Sequence, residues 1–204
     1  MKIGPKYKIA KRLGASVFEK TQSQKFALAE ARKSKVRGGK RRGTTSDFGR
    51  QLIEKQKTRF TYGITERQFR NYVDATMKER GGNPAERLHQ HLERRLDNVV
   101  YRLKLAPTRR AGRQYVSHGH ITVNGRKITI PSHKVSVGDT IAVREGSKSA
   151  RAFEHSKTHM SEGTIPGWLI PNPNDLSGVM KELPIWSETE AAGNLTEVIS
   201  FYSR

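Results

Sequence analysis

The stretch APTRRAGRQYVSHGHITVNGRK, Ala106 to Lys127, changes its hydrophobic period halfway along. Its first half reads as a helix. Thr108 is a capping residue, and Gly119 stands where a left-handed backbone ends a helix at least cost. Beyond Gly119 the period becomes two: Ile121 and Val123 point one way, Asn124-Gly125 is the strongest short hairpin signal, and Ile128 and Ile130 return. Arg109, Arg110 and Arg113 load the helix with charge, and almost no carboxylate is nearby.

Upstream, Leu88, Leu92, Leu96, Val99, Val100 and Leu103 recur at spacings of three and four, which predicts one long helix or two with a short break. Downstream, Val135 and Val137, a Gly138-Asp139 turn, then Ile141 and Val143 add short strands. Residues 94–145 therefore read as helix, helix, β-hairpin and strands, a compact basic α+β module. Before it, Ser46 or Thr45 can cap a helix through DFGRQLIEKQKTRF, TERQ at Thr65–Gln68 reads as a capping box, and NPAE at Asn83–Glu86 opens another helix. Phe69, Tyr72, Val73 and Met77 follow at helical spacing. The tail, with Pro166, Pro171, Pro173 and Pro184, reads as loop-rich. It closes on LTEVISFYSR, whose β-branched and aromatic residues suggest a last strand or an apolar anchor for the helices.

The chain has 204 residues, with 39 Lys plus Arg against 19 Asp plus Glu and a net charge of +20. Such an excess calls for a polyanionic partner. It is also uneven: residues 1–92 hold 23 basic and 8 acidic residues, 93–155 hold 13 and 5, and 156–204 hold 3 and 6. A general nucleic-acid chaperone would be basic throughout, so the ordinary tail argues against one. The run KSKVRGGKRRGTTS, Lys33–Ser46, would be extended and mobile free in water and could order against phosphates; the plain alternative is a solubilising tail. With no cysteine, disulfides, a thiolate nucleophile and a zinc ribbon are excluded. The start MKIGPKYKIAKRLG offers no apolar run suited to a signal peptide, and no apolar stretch is of membrane length, so a soluble cytoplasmic protein is expected.

Arg109 and Arg113 are four apart and Arg110 and Arg113 three apart, so they share a flank, with Tyr115 and Val116 largely on the opposite, core-facing side. Arg94, Arg95 and Arg102 add charge from the preceding helix. The ordinary alternative is a solvated helix face. Yet clustered arginines repel each other unless an anion lies between them, their forks match phosphate oxygens, and each phosphate neutralised releases counterion. A nucleic-acid backbone is the expected partner. The residues alone put RNA only modestly ahead of DNA: there is no helix-turn-helix dimer logic and no zinc-finger spacing. Tyr7, Tyr62 and Tyr115 can stack on unpaired bases, but each reads more readily as a core residue.

The longer segment LERRLDNVVYRLKLAPTRRAGRQYVSHGHITVNGRKITIPSHKVSVGDTI closely resembles the RNA-binding module of the S-four family of bacterial small-ribosomal-subunit proteins. GPKYKIAKRLG, SDFGRQLIEKQKTRFTYGITERQFRNYV and LTEVISFYSR agree with the same family in order, so the likeness spans nearly the whole chain. The resemblance implies a primary rRNA-binding protein that binds a helical junction in the 5′ domain of small-subunit rRNA early in assembly and nucleates the body of the subunit. It implies contact with the neighbouring protein S-five at an interface tied to translational accuracy. With S-three and S-five, such proteins line the path by which mRNA enters. Some relatives carry an N-terminal cysteine cluster for zinc, which this chain lacks. It also has Gly112 and Tyr115 where Ala and Leu are usual: Gly112 should weaken the helix by roughly 0.5–1 kcal/mol against Ala, and Tyr115 must find a hydroxyl partner.

Enzyme readings find little support. Pseudouridine synthases, some of which carry the same module, use an aspartate in a similar RLD motif, but here RLD runs into NVVYRL, an amphipathic helix without a Thr-Ser-Gly-type loop. Asp97 reads instead as a helix residue pairing with a nearby arginine. His89 and His91 point to different sides of a helix, and His118 and His120 straddle the Gly119 turn without a third ligand. RGGKRRG lacks the spacing of a phosphate-binding loop. No cofactor or metal is expected.

The fold expected is α+β: a basic N-terminal arm over 1–44, a helical domain over 45–93 completed by 156–204, and the inserted RNA-binding module over 94–155. The arm is expected to order only on binding. The expected RNA contacts are Arg94, Arg95, Arg102, Arg109, Arg110, Arg113 and Lys127 in the module, and Lys8, Lys11, Arg12, Lys40, Arg41 and Arg42 in the arm.

Overall fold

The computed structural model describes residues 3–36, 46–186 and 193–203. The chain divides into two units, Met1–Leu88 with Ser187–Arg204 and His89–Trp186. In the first, α1 (Lys6–Leu13), α2 (Gln24–Val36), α3 (Asp47–Tyr62), α4 (Glu66–Lys78) and the start of α5 (Pro84–Glu93) follow in order. Ser46 caps α3 by accepting from the Gly49 amide, Thr65 caps α4 by accepting from Gln68, and Asn83 accepts from Ala85 at the start of α5. Only half of the TERQ capping box forms, because Gln68 Oε1 has no hydrogen-bond partner.

The front of the expected arm is folded. Ala10, Leu13, Phe18 and Phe26 are buried, and Phe60 of α3 packs against Ala10, Phe18 and Phe26. Charge dominated the reading of this region, but its few apolar residues recur closely enough to give two short helices an inner face. Lys40, Arg41 and Arg42 lie outside the described residues.

The closing segment is a helix and not a strand. Leu195–Tyr202 (α9 of this chain) starts at an Asn194 cap, where the side chain accepts from the Glu197 amide. Its β-branched residues suggested a strand, but Leu195 and Val198 are buried at helical spacing. The anchor role is made by an ionic and aromatic knot: Lys55 Nζ lies 2.6 Å from Glu66 Oε1, Tyr202 donates to the same oxygen at 2.8 Å, and the ammonium sits 4.5 Å from the Phe201 ring centre.

In the second unit α5 breaks at Arg95, whose backbone is extended, and α6 (Leu96–Arg102) begins. Then come α7 (Arg109–Ser117), β1 (Ile121–Val123), β2 (Arg126–Lys127), β3 (Thr140–Val143), α8 (Ser156–Glu162), β4 (Leu169–Asn172) and β5 (Ser177–Met180). The strands form one antiparallel sheet in the order β2-β1-β3-β5-β4. Leu96, Val99, Val100, Leu103 and Val116 pack with Ile121, Ile141, Val143 and Met180 in one core. Asn124 and Gly125 both take positive φ, 50° and 76°, as a tight hairpin turn requires.

Two expectations are corrected here. The hairpin's return strand stops at Lys127, and Ile130 and Val137 are exposed. Residues 131–135 serve α6 instead: the amides of Leu96 and Asp97 donate to the carbonyls of His133 and Pro131, at 2.9 and 3.1 Å. They satisfy amides that a helix start leaves without partners. The second correction concerns 156–186, which belongs to this unit and not to the helical one. Its strands extend the sheet, with Ile141 opposite Gly178. Pro171 had argued for a loop, yet β4 is the outermost strand, where proline's missing N–H costs the ladder nothing.

Candidate nucleic-acid interface

α7 presents its arginines because its other side is committed to packing. Thr108 accepts from the Ala111 amide to start the helix, Val116 is buried, and Tyr115 reaches the carbonyl of Ala152 through its hydroxyl at 3.3 Å. Burial also pushes the Tyr115 hydroxyl above its ordinary pKa. Gly112 proves to be a close-packing residue: a Cβ there would come 2.6 Å from the Asp97 carbonyl oxygen. The propensity lost at this position is therefore offset by a nearer approach of α7 to α6.

The arginines do not float. Arg109 Nε donates to Asn98 Oδ1 at 2.8 Å, and its guanidinium carbon lies 4.5 Å from the Tyr101 ring centre. Asn98 Nδ2 donates at 2.9 Å to Glu93 Oε2, and Glu93 receives a bidentate pair from Arg102, both bonds 2.8 Å. Arg102, Glu93, Asn98 and Arg109 thus form one chain of hydrogen bonds in which the two middle members are buried. Asp97 receives a second fork, from Arg95 at 3.0 and 2.6 Å, and lies 3.7 Å from Arg113 Nη1. Side chains fixed in this way lose little freedom when a phosphate arrives.

The expected contact residues fall into three kinds. Arg110 and Lys127 are exposed, and Lys127 lays its stem against Gly119. Arg94, Arg102, Arg109 and Arg113 are half-buried, each with an internal polar neighbour; Arg94 Nε donates to Val135 O at 2.8 Å. Arg95 must be corrected: at 1% exposure and closed on Asp97, it braces the α5–α6 break and is out of reach of a surface phosphate. In the first unit, Lys8 and Arg12 are exposed on α1, while Lys11 is half-buried with its ammonium 5.9 Å from the Phe26 ring centre.

Several residues that matter here were missed in the sequence. Glu93 and Asn98 carried no charge-cluster signal, and only the buried chain of bonds reveals them. Arg144 is exposed and joins Lys127 and His118 in acting on His120. Burial first, then the charges of His118, Arg144 and Lys127, hold His120 below the usual histidine value of 6.5. A histidine depressed on folding favours the native state above its unfolded pKa, and that contribution fades as pH falls through the folded value. NMR titration of the free protein should place His120 below 6.5, and added RNA should raise it, because phosphates offset the neighbouring cations. An unshifted His120 in the complex would put RNA elsewhere.

Among the described residues, no group of three or more His, Asp or Glu is arranged to hold a metal ion, and no helix is long and apolar enough to cross a membrane.

An α+β module that fixes arginines from within and leaves them at its surface fits the class that the charge predicts, a protein that binds a nucleic-acid backbone. Comparison with known proteins carries this further. Residues 94–141 match the family described as S4 domain, and residues 1–93 match Ribosomal protein S4/S9 N-terminal domain. The small ribosomal subunit protein uS4 of Roseiflexus castenholzii is 45% identical over 99% of this chain and 98% of its own length. Those of Koribacter versatilis and Chromobacterium violaceum are 47% and 40% identical, over 82% and 99% of this chain and 79% and 98% of their own lengths. The chain belongs to the uS4 family of small ribosomal subunit proteins. It is a structural ribosomal protein and not an enzyme.

Proposed function

We propose that this chain binds small-subunit rRNA at a helical junction of the 5′ domain, early in assembly, and so nucleates the body of the subunit. The observation that carries this reading is the Arg102–Glu93–Asn98–Arg109 chain, which fixes cations in place before any RNA is present. A rigid set of forks suits a rigid, folded target and recognition by shape. Arg109, Arg110 and Arg113 grip phosphates on one side of the module, Arg94 and Arg102 add charge beside them, and Lys127 marks the hairpin end. Lys8, Lys11 and Arg12, with Lys40, Arg41 and Arg42, form a second area of contact in the N-terminal part. In the assembled subunit the chain neighbours S-five and S-three beside the incoming mRNA, where it contributes to translational accuracy.

Hydroxyl-radical footprinting of the complex with small-subunit rRNA tests this reading. The expected result is strong protection confined to one multi-helix junction of the 5′ domain. Weak protection scattered over the whole RNA would contradict it.

A further inference from the structure

We propose that a cleft beside the α6–α7 turn binds one unpaired nucleotide of the RNA, with its base stacked on Tyr101 and Pro107 and its phosphate on Lys104. The proposal rests on the RNA-binding reading and names a ligand class for a site that the arginines do not occupy. The cleft measures about 320 Å³, room for a single nucleotide, and Tyr101, Lys104, Pro107, His159, Glu162 and Gly163 line it.

Lys104 is the first reason. Its φ is 62°, in the left-handed region that glycine adopts freely and other residues rarely enter. Here it ends α6, with Lys104 N donating to Tyr101 O at 3.0 Å and Leu105 N to Val100 O at 3.1 Å, and so fixes where the lysine stem leaves the helix. Its stem is received by Gly163, where a Cβ would lie 3.0 Å from Lys104 Cγ and 3.1 Å from Cε. The ammonium stands 5.8 Å from the Tyr101 ring centre, and among the described residues no carboxylate forms an ion pair with it. A cation whose stem is packed on a glycine, and which no such ion pair neutralises, is placed to take an anion.

The second reason is Tyr101. Arg109 lies 4.5 Å from its ring centre and is itself tied to Asn98, so the ring is held firmly next to the arginine row. Aromatic and proline surfaces accept the flat face of any base. Glu162, exposed on α8, lines the same cleft and supplies an acceptor. An acceptor there favours a base with an exocyclic amino group, as in adenine, cytosine and guanine, over uracil, which offers only its ring N3–H.

The test is a titration of the ¹⁵N-labelled full chain with AMP, with UMP and with inorganic phosphate, followed through the backbone amides. AMP should shift Tyr101, Lys104 and Gly163, UMP should bind more weakly, and phosphate alone should leave these amides in place. Lys104→Gly keeps the left-handed backbone without strain and should weaken AMP binding about five- to tenfold, the worth of one charge-assisted contact. A silent cleft, an equal response to phosphate, or unchanged AMP binding in Lys104→Gly each overturns the proposal. The rRNA affinity of the unmodified protein is measured in parallel. Tight, selective rRNA binding beside a silent cleft removes only the nucleotide site; AMP in the cleft without selective rRNA binding removes only the proposed function.

Discussion

Asp97→Ala is expected to cost about 3–5 kcal/mol of stability, because it removes the carboxylate on which the buried Arg95 guanidinium closes. Both members of the pair are nearly inaccessible, with side-chain exposures of 1% for Arg95 and 5% for Asp97. A buried cation that loses the carboxylate facing it is poorly compensated, and an arginine cannot escape by losing its proton. Arg95 also sits at the break between α5 and α6, where its backbone bridges to Lys134, so the damage extends to the loop that caps α6. Urea unfolding followed by far-UV circular dichroism measures the loss. The double variant Arg95→Met with Asp97→Leu should recover most of it, since removing both charges leaves nothing unpaired in the core. If the double variant is as unstable as the single one, the pair matters for its geometry and not for its charge balance.

Replacing Arg109, Arg110 and Arg113 together by glutamine should lower rRNA affinity by roughly a hundredfold or more at moderate salt, and should make the dependence of log affinity on log salt shallower by about two to three units. Each cation withdrawn from a phosphate leaves one counterion unreleased on the RNA. Stability should fall by about 1–3 kcal/mol, because the triple variant withdraws the Arg109 donor from the buried Asn98 Oδ1. Filter binding over a range of salt gives both numbers. An affinity loss with an unchanged slope would mean that these arginines hold the protein's own structure and touch no phosphate.

Helix starts were the most legible part of the sequence, because their signals are local. Ser46, Thr65, Asn83 and Thr108 each cap the helix that their side chains predict. The Asn124-Gly125 turn was legible for the same reason: its geometry depends on two residues only. What failed depended on distant partners. Ile128 and Ile130 alternate like a strand, but pairing with β1 ends at the single bond from Ile128 N to Ile121 O, because residues 131–135 are drawn off to cap α6. Residues 169–180 looked like loop until β3 supplied a neighbouring edge.

The site divides in the same way. A cluster of arginines on one flank was legible from spacing, since positions three and four apart meet on a helix. Which of them faces solvent was not. Arg94 and Arg95 are adjacent and chemically identical, and only the break in the helix sends one to the surface and the other into the core. Asp97 was expected to pair with a nearby arginine, and it does so with Arg95. Glu93 and Asn98 could not be read as positioning residues, because their role lies in bonds that join two helices.

The most direct test of the account is the affinity of the full chain for the isolated 5′ domain of small-subunit rRNA, against an unrelated structured RNA of equal length, at several salt concentrations. A strong preference for the 5′ domain that persists at about 0.2 M salt is expected, because preset forks and shape select a site beyond what counterion release supplies. Equal affinities for the two RNAs, falling together along one steep slope, would contradict it.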